Sequence, residues 1–192
     1  VGMVLQALVF VPGLGLSKGG NRNWLKLTST LALQPSELTK IGLVLVGRSQ
    51  LDPQRRALGV CHAGWRGTVN GAAAAALWTM QAAYDTDPAQ VVACIGPSIG
   101  PASYAVGEDV IALAHAKLPD AEQLFSYPNG LTGQAHFDLW EANRRQLIAA
   151  GVPADAVEVA GIDTATHTDD FFSHRAEKGR CGLFGMLAWI AK

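Results

Sequence analysis

The sequence predicts an α/β or α+β domain, on three observations. Short apolar runs at 41–47, 57–63, 91–96, 156–162 and 183–190 have the length and bounding turn residues of strands. Between them, 68–84, 108–118 and 136–151 carry helical composition with start and stop signals. The spacing of the two kinds of segment is irregular, which argues against a simple doubly wound sheet.

IGLVLVG (41–47) is a continuous apolar run and reads as a buried strand. In ALGVCHA (57–63), alternation places Leu58, Val60 and His62 on one face and Cys61 on the other, with Gly64 to Gly67 ending the strand. TVNGAAAAALWTMQAAY (68–84) is rich in alanine and closes at Asp85–Pro88, so it reads as one helix. VVACIG (91–96) is a strand stopped by Pro97 and Pro101. EDVIALAHAKL (108–118) is a helix ended by Pro119. HFDLWEANRRQLIAAG (136–151) gives the clearest helix. Asp138 with Glu141 starts it, Leu139, Ala142 and Leu147 form its stripe, and Gly151 with Pro153 stops it. AVEVAGI (156–162) and LFGMLAWI (183–190) read as strands.

Composition narrows the function classes. The 192 residues are 49% hydrophobic and 16% charged, which excludes a disordered chain. Fifteen basic residues against sixteen acidic ones leave a net charge of −1, without the basic stripe of a nucleic-acid binder. Three scattered cysteines make no disulfide framework and fit a reducing, cytoplasmic setting. No apolar run has the length of a membrane span. There is no P-loop and no G-x-G-x-x-G, so neither ATP nor NAD is expected.

The first fifty residues differ from the rest. Lys18, Arg22, Lys26, Lys40 and Arg48 face the single acid Glu37 there, so that 1–50 is basic and 51–192 acidic. The apolar opening is not read as a signal peptide, because its positive charges follow the apolar stretch and Pro12 interrupts it. Residues 1–50 are expected to be an atypical, truncated or altered segment, and 51–192 the catalytic-type domain.

Chemistry concentrates in three places. Cys61-His62-Ala63-Gly64-Trp65-Arg66-Gly67 puts an imidazole at a strand end, followed by an indole and a guanidinium. His62 could be a metal ligand or an acid/base, and Arg66 a fork for phosphate or carboxylate. A buried structural His with a structural ion pair at Arg66 is the plainer alternative. Gly96-Pro97-Ser98-Ile99-Gly100 matches G-x-S-x-G, but Pro101 follows and no helix begins there, so a rigid turn is the better reading. Residues 161–182 gather Asp163, His167, Asp169, Asp170, Ser173, His174, Arg175, Arg180 and Cys181 in one loop. Phe171 and Phe172 are expected to anchor that loop if it is merely solvated. His115 and His136 read as ordinary polar residues on helix or strand faces.

CHAGWRGTVNG (61–71), IGPSIGPASYAVG (95–107), HFDLWEANRRQL (136–147) and FFSHR (171–175) with Gly179-Arg180 occur in one order. Together they resemble the YfiH-type laccase-domain family, whose members are called polyphenol oxidases or purine nucleoside phosphorylases. The resemblance covers about 51–192. It implies a single-domain mixed-sheet sandwich with flanking helices and a Zn or Cu ion held by His, Cys and His. It also implies phosphorolysis of adenosine, inosine or methylthioadenosine, with adenosine deamination and phenol oxidation as further activities. The family's last ligand falls on His62. Its other two, from Q-x-H-G and T-A-D-C motifs, are missing: Gly42 stands where the cysteine belongs, and no histidine precedes His62. Arg66 and Arg175 are the candidates to orient phosphate. A purine nucleoside and phosphate are the expected partners, and low metal occupancy with weak turnover is the expected consequence of the missing motifs. The rival functions are a catalytically dead binding module and a hydrolase that edits peptidoglycan precursors.

Overall fold

The computed structural model describes the backbone of 15–18, 21–26 and 32–33, and residues 43–182 except 53, 55 and 132, together with 188–190. Three strands, β1 (Gly15–Lys18), β2 (Asn21–Lys26) and β3 (Ala32–Leu33), pair antiparallel in that order.

The central sheet is mixed. Its strands are β4 (Leu43–Arg48), β5 (Arg56–Cys61), β6 (Val92–Ile95) and β10 (Val157–Val159), in the order β10-β6-β4-β5. β4 pairs antiparallel with both neighbours, setting Leu43 opposite Cys61 on one side and Ile95 on the other. β6 and β10 run parallel. One face is the core: Leu43, Leu45, Ala57, Ala93, Ile95 and Val157 are buried there. The helices α2 (Ala72–Tyr84) and α4 (Leu139–Ala149) cover that face with Ala73, Leu77, Met80 and Leu147. The alternation has the register expected from a half-covered sheet, since Val60 and Val92 of the opposite face stay largely exposed.

A second, smaller sheet, β7 (Ala105–Val106), β9 (Ala135–Phe137) and β8 (Phe125–Ser126), packs with α3 (Glu108–Lys117) into a separate cluster built on Tyr104, Val110, Leu124 and Phe137. The two clusters meet at α4, whose Leu147 belongs to one and whose Leu139 and Ala142 belong to the other.

Several boundaries differ from the sequence reading for identifiable reasons. The helix expected over 68–84 is two helices, α1 (Trp65–Val69) and α2. Gly71 adopts φ +80°, a left-handed conformation that no continuous α-helix admits, and Asn70 caps α1. Trp65 and Arg66 therefore lie in the first turn of α1. His136 and Phe137, expected at a helix start, belong to β9, because Asp138 caps α4 by accepting from the Glu141 N–H at 2.9 Å. The strand over 57–63 stops at Cys61, and the one over 156–162 is confined to Val157–Val159. Most of the strand expected at 183–190 lies outside the described residues.

The break at Gly71 makes a sharp prediction. A Cβ there would meet nothing within 4 Å, so Gly71→Ala isolates backbone strain. It is expected to destabilise the fold by about 1 kcal/mol in denaturant unfolding. A single continuous helix would instead gain about that much from the same substitution.

Candidate functional site

β5 delivers Cys61 and His62 to the sheet's end, and Gly64 turns the chain into α1. A buried polar network bolts α1 in place. The Thr68 hydroxyl donates to the Ala63 carbonyl at 2.9 Å, Asn143 Nδ2 donates to Thr68 Oγ1 at 2.9 Å, and Gln146 Nε2 donates to the Thr68 carbonyl at 2.6 Å. Thr68 and Asn143 are almost wholly buried, so these bonds are strong constraints on how α4 holds the Trp65–Arg66 turn. Sequence reasoning named neither residue, although both lie inside the motif strings.

The turn over Gly96–Gly100 is structural, as expected from its prolines. Ser98 Oγ accepts from Trp140 Nε1 at 2.7 Å and donates to the Gly96 carbonyl at 3.3 Å, and no helix follows the serine. Its backbone grips the late loop: Ser98 N–H donates to Ile162 O, and Thr164 N–H donates to Ser98 O. Asp163 completes the grip, its carboxylate accepting from Ser103 Oγ at 2.5 Å and from the Ala165 N–H at 2.9 Å. Burial alone would raise the Asp163 carboxyl. The hydrogen bonds from Ser103, Gly100 and Ala165, with the charge of His167, outweigh it and hold the group below its ordinary value.

Beyond Asp163 the loop winds through successive turns. Ser173 is buried, its N–H donating to Glu177 Oε2 at 2.7 Å and its Oγ accepting from the Ala176 N–H. That turn sends Arg175 back across the molecule, where Nη1 donates to the Ala105 carbonyl at 2.7 Å. The guanidinium lies over the Tyr104 ring, 5.0 Å from its centroid. Arg66 in turn lies over the Trp65 indole at 4.2 Å. Both arginines act on the Tyr104 hydroxyl: burial raises its pKa most, and Arg175 and then Arg66 oppose that rise. Arg175 and Arg66, 109 residues apart in sequence, thus both bear electrostatically on one tyrosine, and Arg175 stacks on it. Neither has a carboxylate partner among the described residues. Phe172, expected as an anchor of this loop, is instead half exposed beside Gly182.

The metal-ligand set does not assemble. All five histidines and three cysteines lie within the described residues, and no three His, Cys, Asp or Glu side chains converge there. His62 Nε2 accepts from the Gly64 N–H at 3.2 Å, which occupies a lone pair that a cation would need. Cys61 points to the other side, donating to the Ala72 carbonyl at 3.8 Å, and burial pushes its thiol up to about 11, away from the thiolate a metal requires. Cys94 faces Glu158, His167 Nδ1 meets the Asp163 carbonyl, and His174 packs beside Gly179. The residues present in this chain do not fit a three-ligand Zn or Cu site.

Residues 49–191 match the family model described as multi-copper polyphenol oxidoreductase laccase. The chain belongs to this laccase-domain family. It is 45% identical over 124 residues to a purine nucleoside phosphorylase of Bacteroides thetaiotaomicron, covering 65% of this chain and 46% of that one. It is 40% identical over 129 residues to adenosine deaminase RL5 of an unknown prokaryote, covering 65% and 47%. Among solved structures it is similar to YlmD from Geobacillus stearothermophilus, with a TM-score of 0.62 and 34% identity over 73% of this chain and 51% of that one. The mixed sheet with flanking helices is therefore the laccase-domain fold expected from the sequence. This laccase-domain chain spans about half the length of the curated relatives it matches. No helix among its described residues is long and apolar enough to cross a membrane.

Proposed function

We propose that this chain, with residues 51–192 and the strand β4 on which their sheet is built as its functional unit, is a purine nucleoside phosphorylase-type protein of the cytoplasm. Phosphate would be held by Arg66 and Arg175. The observation that carries the reading is the pair of arginines, each stacked on an aromatic ring and each without a carboxylate partner among the described residues. A guanidinium left without a carboxylate keeps its charge for an anion, and two of them acting on one ligand would hold it together. Their planar forks match phosphate oxygens. The names of the relatives supply the second reactant, a purine nucleoside.

In phosphorolysis a phosphate oxygen bonds to the ribose C1′ as the bond from C1′ to the purine nitrogen breaks. The proton that dihydrogen phosphate gives up ends on the departing purine. The arginines serve by position and charge, orienting the nucleophile and offsetting its negative charge against the sugar. His62 lies at the base of the turn that carries Arg66 and contributes a single imidazole. No step is assigned to a metal.

The test is ribose 1-phosphate formation from inosine or adenosine with inorganic phosphate. Arg66→Gln and Arg175→Gln are each expected to raise KM for phosphate about tenfold, the scale of one lost charge-assisted contact. Unchanged KM values in both variants would contradict the assignment. Phosphate binding without product would support the binding-module reading, and turnover of a muramyl dipeptide with none of inosine would support the peptidoglycan one.

A further inference from the structure

We propose that Tyr104 is a positioning residue of the anion site, its ring face fixing the Arg175 guanidinium so that the remaining N–H edges point to the ligand. The inference rests on the phosphate reading above and names a residue that reading does not need.

An arginine on a loop is a poor anion clamp unless its long side chain is held, because ordering its rotamers opposes binding. Arg175 lies on such a loop. Two contacts restrain it: the Ala105 carbonyl takes Nη1, and Tyr104 takes one face of the guanidinium plane. Both come from one stretch of chain, since β7 begins directly after Tyr104. The remaining donors of the fork have no protein acceptor among the described residues.

The tyrosine is itself immobile. It is 8% exposed and stacks on Phe137, with ring centroids 6.5 Å apart and planes at 28°. The preceding residue, Ser103, is tied through its hydroxyl to Asp163 on the segment that leads to Arg175. Tyr104 and Arg175 are thus registered to one another both through the stacked pair and through the backbone behind each. Arg66, on α1, has its own indole as support. An aromatic face attracts a guanidinium without neutralising its charge, which a carboxylate would do. The site keeps its full positive charge and still holds its geometry.

The experiment is titration of inorganic phosphate into the full 192-residue chain by calorimetry, for wild type, Tyr104→Phe, Tyr104→Leu, Arg175→Gln and the Tyr104→Leu/Arg175→Gln pair. Tyr104→Leu is expected to weaken phosphate binding by roughly 3- to 10-fold, the scale of one cation–π contact. Tyr104→Phe, which keeps the ring face, is expected to restore affinity to within about twofold. In the Arg175→Gln background Tyr104→Leu is expected to add less than about twofold, since the contact it removes is already gone. Equal losses from Tyr104→Leu with and without Arg175 would overturn the inference, because a merely structural role is additive. A loss in Tyr104→Phe as large as in Tyr104→Leu would also overturn it, by showing the hydroxyl to be the contact.

The two readings fail separately. Phosphate binding that responds to Arg175→Gln but not to Tyr104→Leu removes only the role of Tyr104. Wild type that binds no phosphate removes both. Should Tyr104→Leu not fold, the wild-type chain supplies the remaining check by NMR. Phosphate is expected to shift the Arg175 Nε–H and Tyr104 ring resonances together, and an Arg175 signal that moves while the ring stays still would contradict the coupling.

Discussion

Phe137→Ala is expected to destabilise the protein by about 3–5 kcal/mol, the range for removing a fully buried aromatic ring. Phe137 is 0% exposed and is the largest of the fully buried side chains among the described residues. It sits on β9 directly opposite Phe125, stacked at 4.9 Å between centroids, and supports Tyr104 on another side. The neighbours are held by two strands and α3, so they cannot collapse fully into the space, and the cavity cost adds to the lost transfer energy. Denaturant unfolding checks the figure. Phosphate affinity in the surviving folded fraction is expected to fall as well, because the ring beneath Tyr104 has gone. A stability loss below about 1.5 kcal/mol would show that the second cluster is loosely packed and cannot fix the site.

Asp163→Ala is expected to cost about 1–2 kcal/mol near neutral pH. The carboxylate accepts from a hydroxyl and from backbone N–H groups, each bond to a charged acceptor being worth more than a neutral one. The group is only partly buried, so solvent screening keeps the sum modest. Its direction of titration fixes the pH dependence. Folding holds the carboxyl below its ordinary value of 3.8, so the folded state binds fewer protons there than the unfolded one. The stabilisation is fully present above about pH 5 and is lost as the pH falls through the depressed folded value. The stability difference between wild type and Asp163→Ala is therefore expected to be flat from pH 5 to 8 and to shrink below about pH 4. A difference that grew on acidification would mean that the neutral acid, not the carboxylate, makes these bonds.

Much of the main sheet and two of its helices could be read from local pattern. LVLV in β4 stands out as a continuous apolar run, Leu43 and Leu45 buried in the core and Val44 and Val46 partly buried on the other face, and Asp138, Glu141 and Gly151 bracket α4 through capping chemistry that acts within a few residues. The second sheet was illegible for the opposite reason. Its strands are two or three residues long, too short for a period of two to show, and they form because Phe125, Val106 and Phe137 find one another in space. The division at Asn70–Gly71 was missed because alanine-rich composition continues across it, while the decisive feature is one backbone dihedral.

At the site, His62, Arg66 and Arg175 stood out by chemical type. Tyr104 did not, since its role depends on a guanidinium 71 residues away. The ligand role expected of His62 requires partners that the described chain does not bring to it: Cys61 alternates to the far face, as the strand period dictates, and the other histidines lie on α3, on the second sheet or in the turns of the late loop. Asp163, one acid among several in the late loop, owes its importance to Ser103 and Gly100, which reach it only after folding.

Equilibrium binding of inorganic phosphate tests the central claim most directly, with the wild-type chain compared to Arg66→Gln/Arg175→Gln at constant ionic strength. One phosphate per chain is expected, with affinity falling when salt is added. The double variant is expected to lose at least about tenfold in affinity with its fold intact by circular dichroism. Wild type that binds no phosphate, or a double variant that binds it equally well, would contradict the account.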